Sequence, residues 1–582
     1  MTGAVIENLS NRKLCYILIS LFVALIIFFI LGALCSPQPS SSMEFIMVKC
    51  KDIEGGQNPD RWFYLRPSNC DPIHDLDYYV PQYHDMRDIV FVAQMPHQRD
   101  GTNLEYSAWF QFLLGLLEVD IEYDPKFTLE TSAVLQLEVR LGYKTRTDPP
   151  DQWHELIATN TTRTLECKIP DNLIEFQKLE GHLYNCASLD LFELGSNPYP
   201  FYLINIRLPV NQTLCQTKPT APNCAIGRIN DLRVIAIHQN GGFTAIWLFM
   251  KTMVSPLVTF AVIWYWKRVV ALNRNSYLLE KAIMALGTSL AILDFPLEWI
   301  SLWFRAPFML LIGDIRQGLF YAILFSFWLI FTGEHLIDDT SRNNLSSYWQ
   351  NLTSVLIGST CLLIYDIAER GMQLLNPFFS IWSSELGSRL AYTSIYIASL
   401  CVLFYFGFLV FKVYRVWITI KRKRAAQLYR SSEIRRLKVN YRFSQTNVSL
   451  KWDFDRKLGF FGYSAGGKSV EAVIYRFKFL MFFTLVCAAS TIITYIMKQY
   501  GEGQIHSDNP SESLLIHSSS AFFTGTFGMW NIYVLLLLAM YAPSHKQYGT
   551  TVALREETDM LVNDELTESS ALTTFMKATT TE

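Results

Sequence analysis

The chain has 582 residues, half of them hydrophobic, and a formal net charge of −2. A near-neutral chain without a basic body argues against a nucleic-acid partner. The placement of the apolar residues, more than their share, sets the class.

Residues 1–13 are polar and end in Arg12 and Lys13, a short cytosolic N-terminus. Leu14–Leu34 is the first apolar run. Seven more follow: Phe243–Trp266, Ile283–Phe304, Gln317–Thr332, Ser354–Gln373, Leu390–Val413, Phe477–Ile496 and Ala521–Tyr541. Each is close to the roughly 17–25 residues that a bilayer core requires. Arg12-Lys13, the apolar run and small residues near Cys35 also fit a cleaved signal peptide. A run of about 20 residues is long for a signal core, which favours an uncleaved anchor.

Residues 35–242 separate the first two runs. Apolar residues alternate with polar ones at Leu117, Val119, Ile121 and Tyr123, at Leu135, Leu137, Val139 and Leu141, and at Tyr202, Ile204, Ile206 and Leu208. A period of two marks strands with one buried and one wet face, and several such runs with turn clusters between them suggest a β-sandwich. The last strand, Leu232–Gln239, leads through Asn240-Gly241-Gly242 directly into the second span. Cys50, Cys70, Cys167, Cys186, Cys215 and Cys224 all fall in this segment. Six cysteines allow about 15 pairings. Locality favours Cys50–Cys70, Cys167–Cys186 and Cys215–Cys224, in an oxidising compartment. Asn160 and Asn211 head sequons there, as expected for glycosylation.

Lys267, Arg268, Arg274 and Lys281, and a run from Lys412 to Lys478 that includes Lys421-Arg422-Lys423-Arg424, fall on the same side as Arg12. The positive-inside rule makes that side cytosolic and the 35–242 segment luminal. The expected architecture is a multispanning α-helical membrane protein with eight helices, one at the N-terminus (14–34) and a receptor-like seven-helix bundle (243–541). It carries a luminal all-β sandwich, a basic cytosolic loop at about 414–476 and a cytosolic tail at 542–582.

The third run contains Asp294 and Glu298, four apart and so on one helix face; Asp366, Glu369, Arg370 and Gln373 share a face of the fifth. Asp314 and Arg316 open the fourth. Charges in lipid are costly and are expected to face inward and pair, with Arg316 and Arg370 as the cations, below the luminal surface. A polar rim on a cavity and a plain ion-pair network both fit. Phe325, Trp328 and Leu363 are candidates for apolar walls near that rim.

Gly462–Ser469 matches a P-loop pattern, but no strand precedes it and no βαβ unit surrounds it. His238, His506 and His517 could sense an acidic compartment. No metal, cofactor or catalytic constellation is expected, and an acyltransferase would need an intramembrane histidine that no run contains.

Several blocks together are distinctive: Ala236–Thr244 (AIHQNGGFT), Asp314–Tyr321 (DIRQGLFY), Gly333-Glu334-His335, Asn376–Trp382 (NPFFSIW), Ile474–Leu480 (IYRFKFL), Gly528–Tyr533 (GMWNIY) and Tyr541–Lys546 (YAPSHK). They resemble the Wntless family of Wnt sorting receptors, in order, over most of the chain. That resemblance implies a carrier for Wnt proteins through the endoplasmic reticulum, Golgi, endosome and plasma membrane. It implies that the acyl chain on a Wnt serine is shielded in the helical bundle, and that membrane lipids, retromer and a clathrin adaptor are further partners. The family's Tyr-Glu-Gly-Leu signal is absent, since the matching stretch reads Ser469–Val473 (SVEAV), and the chain ends Thr579-Thr-Thr-Glu582 without the family's retrieval ending. A G-protein-coupled receptor is the main alternative. It lacks support from an Asp-Arg-Tyr motif, and Asn376-Pro377 falls in a luminal loop.

Overall fold

The computed structural model describes residues 11–52, 61–64, 69–73, 88–96, 104–124, 129–130, 132–169, 181–210, 212–218, 221–272, 274–334, 345–444, 484, 487, 489 and 510–543. The P-loop-like motif, Asn211, His335, His506, the sorting-signal stretch, the tail and most of the Phe477–Ile496 run lie outside them.

Among the described residues, eleven strands run in chain order: β1 Ser40–Ile46, β2 Val48–Lys51, β3 Ile89–Met95, β4 Leu113–Glu122, β5 Val134–Lys144, β6 His154–Thr164, β7 Cys167–Lys168, β8 Asn185–Cys186, β9 Leu189–Leu194, β10 Phe201–Arg207 and β11 Arg228–Gln239. They form a four-stranded sheet, β1-β11-β4-β9, a five-stranded sheet, β2-β3-β10-β5-β6, and a small β7-β8 ribbon. All pairings are antiparallel. Alternation explains the facing. Leu117, Val119 and Ile121 of β4 and Leu135, Leu137, Val139 and Leu141 of β5 all point into one core between the sheets.

The other face of β10 departs from the expected wet surface. Leu203 is fully buried there, in a second small core with Phe63, Val90, Val92 and Trp153, under the Cys50–Cys70 disulfide. Asn205 beside it is buried and accepts a hydrogen bond from the Phe63 backbone N–H. Chain from outside the strand covers this face, and a period-two pattern carries no trace of such a cover. Cys167–Cys186 and Cys215–Cys224 are also bonded, while Cys15, Cys35, Cys361, Cys401 and Cys487 are in no disulfide.

The helices are α1 Asn11–Ile30, continued by a π-helical turn Leu31–Cys35, α2 Gln212–Thr217, α3 Gly241–Val270, α4 Leu278–Asp294, α5 Glu298–Trp303, α6 Met309–Glu334, α7 Trp349–Gln373, α8 Glu385–Ser444 and α9 Pro510–Tyr541. Among the described residues, seven helical segments are long and apolar enough to cross a membrane, α4 and α5 together counting as one. From the seventh run, Phe477–Ile496, only Thr484, Cys487 and Ala489 are described, all helical. Thr484 and Cys487 are buried, and Thr484 shares a hydrogen bond with Tyr533 of α9.

β11 passes into α3 with no loop. Asn240 caps the helix, its side chain accepting from the Gly242 N–H at 2.9 Å. The sandwich therefore sits on one end of the bundle. α1 packs along α9: the Phe28 and Phe29 rings occupy the places where side chains of Gly528 and Gly525 would stand, and the Thr524 hydroxyl donates to the Phe28 carbonyl. Small residues let two helices approach closely in lipid, where packing rather than hydrophobicity drives association.

Two sequence expectations for the bundle need correction. Asp294 and Glu298 do not lie on one continuous helix, because α4 ends at Asp294, Phe295 is extended and α5 begins at Glu298. Pro296 is the reason: it lacks an N–H and disfavours helical geometry in the residue before it. The fourth span, read in the sequence as opening at Asp314, starts earlier, at Met309, so Asp314 and Arg316 lie within its first turns.

Candidate functional site

The sandwich-side end of the bundle concentrates the intramembrane charges, in two groups. The first surrounds the break between α4 and α5. Lys251 of α3 donates to Glu298 Oε1 at 2.5 Å, and Arg316 Nη2 donates to the same oxygen at 3.2 Å. Arg316 Nη1 also donates to the Phe295 carbonyl at 2.7 Å. The break frees carbonyl groups that water cannot reach in lipid, and the guanidinium satisfies them. Asp294 is fully buried beside Asn531, and its carboxylate oxygens have no hydrogen-bond partner among the described residues. The sequence reading missed Lys251. A lone lysine inside an apolar run was its signal.

The second group lies at the end of α7. Arg370 pairs with Glu193 of β9 and reaches Asp314 of α6 at 3.5 Å. Asp366, half-buried, lies close to both Asp314 and Arg370. Glu369 accepts from the Ile381 N–H at 2.7 Å. Arg370 thus joins the sandwich, the fourth span and the fifth. Asp294, Glu298 and Arg316 form one cluster, and Asp314, Asp366 and Arg370 another.

The chain after α7 is part of the same junction. Asn376–Trp382 folds onto the sandwich, where Phe378 is buried in the inter-sheet core and packs against Phe192 at 5.7 Å. Arg163 of β6 holds it there. Its guanidinium donates to the carbonyls of Phe378 at 2.8 Å, of Leu191 at 3.3 Å and of Asp190. Burial raises the Asp190 carboxyl pKa, and the neighbouring Arg163 opposes that shift. The Glu193 N–H completes the seam by donating to the Pro377 carbonyl at 2.9 Å. Arg163, Asp190 and Glu193 are further residues the sequence left unmarked, since their partners lie far away in the chain.

Between these parts is a half-open cavity of about 270 Å³. Its walls combine sandwich residues such as Leu156 and Tyr199 with Leu310 and Leu311 of α6 and Leu374 past α7. It lies at the junction of the fourth and fifth spans. Of the rim residues marked in the sequence, Arg370 lines it. Phe325, Trp328 and Leu363 do not. Phe325 packs on Tyr405 at 5.1 Å, Trp328 is 1% exposed and donates to the Tyr533 hydroxyl, and Leu363 is 39% exposed on the outer surface of α7. The two aromatics fill helix–helix contacts, the ordinary use of large side chains in a bundle.

His238 of β11 is buried against Phe110 at 4.7 Å and Tyr106 at 5.5 Å. Burial lowers its pKa to about 4, which keeps the folded side chain neutral at mildly acidic pH. Among the described residues no group of His, Cys, Asp or Glu side chains has the arrangement of a metal site.

Comparison with known proteins agrees with this division of the chain. Residues 48–239 match the family model described as Wntless, GOLD domain. Residues 240–545 match that described as Wntless-like, transmembrane domain. The chain is 53% identical to a protein wntless homolog of Caenorhabditis elegans, over 99% of each chain. It is 39% identical to the mouse protein wntless homolog and 40% identical to the chicken one, over 94% of this chain and 92% of each relative. A β-sandwich fused to a multispanning helical bundle, matched from end to end in this way, makes the chain a multi-pass membrane protein that belongs to the Wntless family.

Proposed function

We propose that this protein is a cargo receptor that binds lipid-modified Wnt and carries it through the secretory pathway to the cell surface. The cargo's acyl chain enters the cavity at the junction of the fourth and fifth spans, and the sandwich holds the cargo's protein part. The observation that carries this reading is the cavity itself. It is walled by leucines of α6 and the α7 end, roofed by the sandwich, and rimmed by Arg370. An acyl chain of about 16 carbons at roughly 0.8 kcal/mol per buried CH₂ represents on the order of 10 kcal/mol of gross driving force. A lipidated secreted protein therefore needs a carrier to leave the membrane.

The sandwich faces the lumen and both termini face the cytosol in this reading. Three disulfides in the sandwich and the basic segments on the opposite side support it. Asn160 is exposed on β6, an edge strand, where a glycan can be attached without disturbing the core. Traffic among endoplasmic reticulum, Golgi, endosome and plasma membrane, with retromer and a clathrin adaptor, completes the proposal. The test is co-purification of acylated Wnt against Wnt whose acyl-serine is replaced by alanine.

A further inference from the structure

Among the described residues, three charged ones line the junction cavity: Glu193, Arg305 and Arg370. Glu193 and Arg370 neutralise each other across one wall. Arg305 has no carboxylate partner among the described residues; its guanidinium lies over the Tyr199 ring at 4.6 Å, a cation–π contact that holds it against the cavity wall. Among the described residues, the cavity therefore presents one cation without a carboxylate partner, above apolar side chains.

Its depth identifies what that cation meets. Arg305 follows Trp303, the last residue of the third span, by two residues, and Trp303 and Phe304 are 79% and 72% exposed. Exposed aromatics at a span end mark the membrane–water interface. Leu310 and Leu311 belong to the first turns of α6, and Leu374 and Leu375 follow the last turn of α7. The cavity is half-open at the level where a bilayer keeps its phosphates. Apolar walls facing water cost about 25 cal/mol per Å², and bilayer lipid is the apolar matter at hand.

We propose that this cavity is a phospholipid site in which Arg305 binds the phosphate and the upper part of one chain lies against Leu310, Leu311 and Leu374. At about 270 Å³ it takes the phosphate end and a short stretch of chain, with the rest of the lipid in the bilayer. The site shares its cavity with the cargo reading but stands without it. If both hold, cargo loading is an exchange, in which an acyl chain displaces a resident phospholipid and no empty cavity forms.

The test uses the full chain in nanodiscs with chain-spin-labelled phosphatidylglycerol or chain-spin-labelled diacylglycerol, read as the immobilised fraction. The expected result is a preference for phosphatidylglycerol of about tenfold, the order of one charge-assisted contact. Arg305→Gln should abolish the preference and Arg305→Lys should restore most of it, with thermal midpoints unchanged in both. Inorganic phosphate should not displace the lipid. Equal retention of the two lipids, or a preference that survives Arg305→Gln, would overturn the proposal. Displacement by inorganic phosphate would make this a free-anion site instead. Acylated cargo binding is scored separately, so its failure would count against the cargo reading and leave the lipid site standing.

Discussion

The Arg316 guanidinium donates to the Phe295 carbonyl at 2.7 Å, at the residue where the third span stops being helical. Pro296 forces the break and has no N–H to give the Ile292 carbonyl four residues back, so in lipid that carbonyl needs another protein donor, and the same guanidinium lies 3.4 Å from it. One side chain supplies it and also pairs with Glu298, the first residue after the break. A broken membrane helix is thus stabilised from a neighbouring span.

Removing that side chain should be costly. Arg316→Leu leaves Glu298 with Lys251 as its remaining cation and takes the donor from the Ile292 carbonyl, and a loss of about 3–5 kcal/mol is expected. Arg316→Lys should recover part, since one ammonium cannot reach both acceptors in the guanidinium's geometry. Thermal unfolding in detergent measures both. A wild-type midpoint for Arg316→Leu would mean that the break needs no support.

Arg163 is expected to anchor the chain that follows the fifth span. In Arg163→Ala the carbonyls of Phe378 and Leu191 lose their donor, and Asn376–Trp382 should leave the sandwich. Hydrogen exchange should then rise by about tenfold or more in that loop and little in β4 or β5. Uniform exchange across the sandwich would show that Arg163 serves general stability instead.

The first helix should depend on two glycines of the last. In Gly528→Leu the new side chain would occupy the space of the Phe28 ring. Engineered cysteines on α1 and α9 that cross-link in the parent should do so far more slowly in this variant. Unchanged cross-linking would mean that the helices are held by something other than this close approach.

His238 makes a pH-dependent contribution whose sign follows from its burial. Its pKa is about 4 in the fold, against about 6.5 unfolded. Between those values the unfolded chain binds the extra proton, so stability is full above about pH 6.5 and falls as pH drops towards 4. The loss should be on the order of 2–3 kcal/mol. His238→Phe keeps a ring between Tyr106 and Phe110 and should flatten that segment of the profile. A profile with the same slope in the variant would assign the acid sensitivity to other groups.

The alternating strands were legible because each has one face in the core: Leu135 to Leu141 of β5 could be read directly. Leu203 could not, because its cover comes from around Phe63, far earlier in the chain. Spacing also misled at Asp294 and Glu298. Four residues apart means one face only on an unbroken helix, and Pro296 stood between them as visible evidence against it. Arg370 was read as a cation in need of acids, and it pairs with them while half-buried, yet one of its partners, Glu193, belongs to the sandwich and shares no pattern with it. A cavity does lie near the fourth and fifth spans, but between the bundle and the sandwich, and Phe325, Trp328 and Leu363 do not line it. Phe325 and Trp328 are as suitable for packing as for lining, and composition does not separate the two uses.

The most direct test of the cargo reading compares one Wnt in two forms. Acylated Wnt and its acyl-serine→Ala variant would be titrated against the full chain in nanodiscs, with Leu311→Arg, which places a charge in the cavity, as a second arm. The expected result is tight binding of the acylated form. The unacylated form should bind about a hundredfold or more weakly, and Leu311→Arg should bring acylated cargo down to that level with its disulfides intact. Equal affinity for the two cargo forms would contradict the cavity mechanism and assign recognition to the sandwich alone.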